Sequence, residues 1–201
     1  MNDKDRISWE TFLNPEALRP NLIAASIYIA AFEILKTSLV DRIKDFFTNG
    51  FDQNGVRIDP MYQSDVLSKN RSAVYASLGW LKEAHAIDDA DLAAFERVKE
   101  LRNNLAHALA SMLYEGLPAD FATRLNEMVF LLDKVERWWI INVEIPTNPA
   151  LKDKQIHEAQ VIPGPIMGLR MLIDVALGSE EGSKKHITEF QKRGNFDGFP
   201  V

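Results

Sequence analysis

From Ile23 to Phe47 the apolar side chains return at three- and four-residue steps. Ile23, Ile27, Ala30, Ala31 and Ile34 come first, and Leu39, Ile43, Phe46 and Phe47 continue the stripe with some drift. Steps of that size put side chains on one side of an α-helix. The stripe is too wide for a helix that rests on a single neighbour, so this helix must be buried on more than one side. A chain with such a helix has to wrap its other elements around it, and three further segments with the same period supply them. The pattern predicts an all-α architecture: an antiparallel four-helix bundle with short connections, an N-terminal arm and a C-terminal helical extension. The expected limits are 1–19 for the arm and 20–142 for the bundle. Residues 143–201 then form a proline-containing linker, an additional helix and a tail packed on the bundle.

Local signals set the expected boundaries. Trp9, Phe12 and Leu13 give the arm a means of packing back on the body. Pro20 and Asn21 open the first long helix, and Asn49-Gly50 closes it. Residues 49–58 hold two Asn-Gly pairs and could form a tight turn or a short hairpin, with an ordered loop preferred. Asp59-Pro60 starts a second helix that runs to about Ala84 and buries Val66, Leu67, Val74, Leu78 and Leu81. His85 ends it as a cap or a solvated side chain. Asp88, Asp89 and Asp91 place negative charge at the start of the third helix, which runs to about Gly116. A fourth starts near Asp120 and runs through Leu125, Val129, Leu132 and Val135 to Ile141. The Trp138-Trp139 pair reads as core packing, since no basic residues interleave with it as in a base-stacking platform. A fifth helix is expected over about Ile166 to Leu177, and the tail from Ser183 is a docking arm or partly disordered.

Composition narrows the class. With 46% hydrophobic and 26% charged residues the chain suits a soluble globular domain rather than a disordered one. It has no cysteine, which excludes disulfides, thiolate metal sites and cysteine nucleophiles. The charged N-terminus lacks an apolar signal core, and the run Leu22 to Phe32 is cut short by Glu33 and Lys36. A cytoplasmic protein with no membrane partner is therefore expected. A net charge of -6 argues against a general nucleic-acid binder, though a local basic cleft would suffice for a nuclease. Phosphate-loop, dinucleotide, zinc-protease and serine-hydrolase motifs are absent. The histidines at 85, 107, 157 and 186 lack the spacing of metal ligands, so neither metal nor cofactor is expected.

The stretch Val98 to Leu109, Val-Lys-Glu-Leu-Arg-Asn-Asn-Leu-Ala-His-Ala-Leu, carries the functional argument. Val98, Leu101, Leu105, Ala108, Leu109 and Met112 form its apolar stripe. Glu96, Glu100, Asn103 and His107 fall on the polar side, with Arg102 on the boundary. The spacing Arg102, Asn103, His107 resembles the Arg-x4-6-His signature of the all-helical HEPN (higher eukaryotes and prokaryotes nucleotide-binding) domains. Ala31-Phe-Glu-Ile-Leu-Lys36 resembles the first helix of that family, and the likeness covers roughly residues 20 to 142. It implies a metal-independent endoribonuclease acting as a homodimer, of a toxin or antiviral-defence kind, with RNA as substrate and an antitoxin or regulatory protein as a possible partner. Leu109 stands where the toxins paired with minimal nucleotidyltransferases carry a tyrosine, which counts against regulation by nucleotide addition there.

The residue chemistry is compatible with that reading. His107 can exchange a proton near neutral pH, Arg102 can donate paired hydrogen bonds to a phosphate, Asn103 can orient either, and Lys99 can hold backbone phosphate. Arg102 and His107 lie about 140° apart around their helix, so a symmetric partner would bring them to one phosphate more easily than one chain could. Two other readings stay open. Asn103 and His107 could be solvent-facing residues beside an Arg102 paired to an acid, or the chain could be a non-catalytic helical module that binds a nucleotide or a protein.

Overall fold

The computed structural model describes residues 3–53, 55–107, 114–151 and 156–193. The described chain is mostly helical, with one short two-stranded sheet. Helix α1 spans Asp3–Leu13 and α2 spans Pro15–Phe46. The hairpin β1 (Thr48–Asp52) and β2 (Gly55–Ile58) follows, then α3 (Ala73–Glu83) and α4 (Asp89–His107). After them come α5 (Phe121–Trp139), α6 (Gly164–Leu177) and α7 (Glu180–Arg193).

Helix α2 starts five residues before the position expected from Pro20. Asn14 is its N-cap, with Oδ1 accepting from the Glu16 N–H at 3.0 Å, and Pro15 occupies the first turn, where its missing N–H is harmless. Pro20 lies inside the helix on an exposed side, where the Glu16 carbonyl it leaves unpaired can be hydrated. The buried face is also rotated from the expected one. Ala24, Ile27, Tyr28, Ala31, Leu35, Leu39 and Ile43 are buried, whereas Ile23 and Ala30 are exposed. By length and composition α2 could span a bilayer, and half of its most apolar window is buried inside the protein.

Helices α3, α4 and α5 pack against α2, and α4 also packs along α5. Leu78 and Leu81 from α3, Phe95, Val98, Leu101 and Leu105 from α4, and Met128, Leu131, Leu132 and Val135 from α5 close the core around Leu35, Leu39 and Ile43. Tyr28 ties α2 to α4 by donating its hydroxyl to the Val98 carbonyl at 3.0 Å. Trp139 is buried and stacks on Trp80 with ring centres 5.9 Å apart, and Trp138 meets Trp80 edge-on, so the tryptophan pair is core packing. Helix α1 lies on α2, and its Trp9 and Phe12 surround Tyr114. Helix α6 buries Ile166 and Leu169 against the body and leaves Met167, Met171 and Val175 exposed.

Two connections differ from expectation. Thr48–Asp52 and Gly55–Ile58 pair as a hairpin where an ordered loop was expected, with Phe51 opposite Val56 and Asp52 opposite Gly55. Gly50 and Gly55 adopt φ of 106° and 111°, values that side chains disfavour, so the glycines permit the irregular register and the turn. The expected second helix is interrupted. A π turn at Tyr62–Val66 and a 3-10 turn at Leu67–Lys69 precede Asn70, which is extended and accepts the Ser72 N–H at 2.9 Å. That local bond competes with helix continuation and resets the chain before α3. In the C-terminal part, Ser183 to Arg193 belong to the helix α7, while 194–201 lie outside the described residues, as do Ala108, Leu109 and Met112 of the motif stretch.

The helix ends near the motif are tightly specified. At the start of α4, Asp88 accepts from the N–H groups of Ala90 and Asp91, and Asp91 accepts from the Asp88 N–H at 2.8 Å, a reciprocal capping box. Lys134 of α5 bridges both carboxylates. At the end of α3, His85 has φ 56°, its N–H bonds to the Lys82 carbonyl, and the Ala86 N–H bonds to that of Leu81. These bonds define a Schellman ending with histidine in the left-handed position that glycine usually takes. His85→Gly is expected to raise stability by about 0.5–1 kcal/mol, relief of the left-handed strain exceeding the added freedom of the unfolded chain. A higher urea midpoint checks it. A lower one would mean that the imidazole contributes more at the helix end than its backbone strain costs.

Candidate functional site

Three helices converge on a cavity of about 310 Å³. Phe95, Lys99, Arg102 and Asn103 reach it from one stripe of α4, at steps of four, three and one. Phe32, Glu33 and Lys36 come from the middle of α2, and Ser72, Val74 and Tyr75 from the start of α3. The inner wall is aromatic: Phe32 stacks beside Phe95 with centres 6.0 Å apart, and Tyr75 meets Phe95 edge-on at 6.1 Å. The mouth carries Lys36, Lys99 and Arg102 around the carboxylate of Glu33. Ser72 makes no side-chain bond to the first turn of α3, so the N–H groups of that turn remain available to solvent or a ligand.

Arg102 is half-buried. Its Nη2 donates to Glu33 Oε1 at 2.9 Å, and its guanidinium lies 5.5 Å from the centre of the Phe32 ring. Nη1 reaches Asn103 Oδ1 only at 3.5 Å, the limit of a hydrogen bond, and Nε is buried without a partner. A guanidinium has five N–H donors, so the protein satisfies this one incompletely. The Lys99 ammonium donates to the Tyr75 hydroxyl, lies 4.7 Å from that ring's centre, and is 3.9 Å from a Glu96 oxygen. Glu33 also accepts from Lys36. The bond from Lys36, aided by the one from Arg102, holds the Glu33 carboxyl below the usual carboxylate range, so it is ionised at neutral pH.

Of the residues expected from the sequence, Lys99, Arg102 and Asn103 meet in this cavity. His107 does not line it. That residue is exposed one turn beyond Asn103, at the last described position of α4. A second depression, lined by Glu96, Lys99, Glu100, Asn103 and Asn104, adjoins the cavity through Lys99 and Asn103. The acid paired to Arg102 is Glu33, from a different helix. In the sequence Glu33 and Lys36 mark only the end of an apolar run and part of Ala31–Lys36, and no local pattern singles out Tyr75. The basic residues of the C-terminal part are partly engaged: His186 Nε2 is 3.4 Å from Asp174, and Lys185 is 4.0 Å from Glu189. Among the described residues there is no cluster of three histidines and carboxylates able to hold a metal ion.

No family model matches the chain, and no curated protein or solved structure is detectably similar to it.

Proposed function

We propose that the chain is a metal-independent endoribonuclease of HEPN type, its helices α2 to α5 forming that family's antiparallel four-helix bundle, and that it acts in the cytoplasm as a toxin or antiviral-defence effector. The observation that carries this reading is the state of Arg102. It sits on the motif helix in a cationic cavity with Lys99, Lys36 and Asn103, yet one full-strength protein bond holds it and its Nε is unpaired. A group needed only to pin two helices together would be expected to use more of its donors.

In this mechanism Arg102 and Lys99 neutralise a backbone phosphate, and Asn103 orients the guanidinium or the phosphate. One His107 removes the proton of a 2′-hydroxyl as its oxygen bonds to the adjacent phosphorus. The bond from phosphorus to the 5′-oxygen breaks, and the same imidazole, now protonated, gives that oxygen its proton. The products are a 2′,3′-cyclic phosphate and a 5′-hydroxyl. The distance of His107 from the cavity within one chain is the reason for invoking a homodimer, in which two α4 helices share a cleft and the guanidinium of one subunit works with the imidazole of the other.

The Arg102–Glu33 pair favours a second reading, a helical module that binds a nucleotide or a protein without chemistry, since that pair also links α2 to α4. One experiment separates them. The wild type, Arg102→Ala and His107→Ala are incubated with total RNA and a chelator, and new 5′-hydroxyl ends are labelled. Cleavage by the wild type alone is the expected result. Cleavage by all three proteins, or by none, discards the catalytic assignment. Growth arrest on expression, lost in both variants, would support the effector role.

A further inference from the structure

We infer that the cavity between α2, α3 and α4 is a base-binding subsite that takes one unpaired guanine nucleotide of the substrate RNA. The choice of ligand rests on the ribonuclease reading; the fit rests on the cavity. Its volume of about 310 Å³ can hold a base with its phosphate. The part-exposed ring of Tyr75 lines the cavity and can meet a flat heterocycle, and stacking on aromatic side chains is the general means of holding an unpaired base. At the mouth, Lys36, Lys99 and Arg102 face Glu33 and, beside Lys99, Glu96, which leaves one positive charge in excess, and the uncapped first turn of α3 adds backbone N–H donors beside it. That combination suits a phosphate attached to the base.

Glu33 selects the base. It is ionised and so presents only acceptors to the cavity. Arg102 occupies one position on Oε1 and Lys36 one on Oε2, which leaves a lone pair on each oxygen. Two neighbouring acceptors match two neighbouring donors, and among the four RNA bases guanine alone offers them, as N1–H and the N2 amino group. Adenine and cytosine each present one amino group beside an acceptor, which faces the carboxylate lone pairs unfavourably. Uracil presents a single N–H between two carbonyls.

The test uses the full chain carrying His107→Ala, titrated calorimetrically with GMP, AMP, CMP, UMP and inorganic phosphate. GMP is expected to bind saturably and at least tenfold more tightly than the other three nucleotides, with phosphate alone the weakest. Glu33→Gln, a change at a part-exposed residue, should bring GMP to within about threefold of the others. Tyr75→Ala should weaken GMP about tenfold or more, and Tyr75→Phe, which keeps the ring, should restore most of that loss. Circular dichroism confirms that each variant is folded. Equal binding of all four nucleotides, no binding of GMP at millimolar concentration, or GMP binding indifferent to both Glu33→Gln and Tyr75→Ala overturns the subsite. Cleavage by the wild type without any guanine preference would leave the ribonuclease reading standing and remove this inference. GMP selectivity in a protein that never cuts RNA would do the reverse.

Discussion

Arg42→Ala is expected to lower the free energy of unfolding by about 3 kcal/mol, the low end of the cost of stranding a buried charge. Glu136 on α5 is fully buried, and Arg42 of α2 grips it with two nitrogens, Nε at 3.2 Å and Nη2 at 2.5 Å from its two oxygens. Nη1 extends the same fork to Glu144 beyond the end of α5. Removing the guanidinium leaves a carboxylate in the core with nothing to balance it. The low end applies because the Arg42 side chain is 31% exposed, so water can enter the space it leaves. The paired replacement Arg42→Met with Glu136→Leu removes both charges and should return to within about 1 kcal/mol of the wild type, since two charges that no longer need burying forgo their desolvation penalty. Urea unfolding of the three proteins measures both values. A loss under about 1 kcal/mol for Arg42→Ala would show that the pair is solvated in practice and does not hold α2 to α5.

The parts of this fold that could be read from the sequence are those set within one turn of helix. The α4 start was legible because Asp88 and Asp91 bond to backbone N–H groups of the helix's own first turn, and Val98, Leu101 and Leu105 were legible because a buried stripe repeats along one helix. Pro20 misled because its fixed backbone suits a first turn, while Asn14-Pro15 supplies an earlier and better cap. Asn70 carried no periodic signal; its effect is a single side-chain bond to Ser72. Ile23 and Ala30 fit the expected stripe of α2 equally well, and only the placement of α4 and α5 decides which side of a widely apolar helix is buried. The candidate site divides the same way. Lys99, Arg102 and Asn103 share a face by helical spacing alone. Glu33, Lys36 and Tyr75 join them through the meeting of three helices, which no local pattern encodes.

His107→Ala is expected to reduce RNA cleavage by about 10²–10⁴-fold, the range for losing a general acid–base group, with little change in thermal midpoint because the side chain is exposed. Arg102→Ala should lose about 10²–10³-fold, as for removal of a donor that stabilises charge on a reacting oxyanion, and should also destabilise the fold by less than about 1 kcal/mol. That second effect follows from the part-exposed bond to Glu33, which solvent weakens. Arg102→Lys keeps the charge but not the fork, so it should recover stability before activity. The two inactive variants then become more informative together than apart. In a cleft that draws its guanidinium from one subunit and its imidazole from the other, a mixed dimer of Arg102→Ala with His107→Ala rebuilds one site from the two intact groups. Mixing and re-equilibrating the two proteins should therefore restore measurable cleavage that neither shows alone. Failure to complement, with mixed dimers demonstrated, would mean that both groups act from the same chain, and α4 would then have to bring His107 to the cavity mouth by itself.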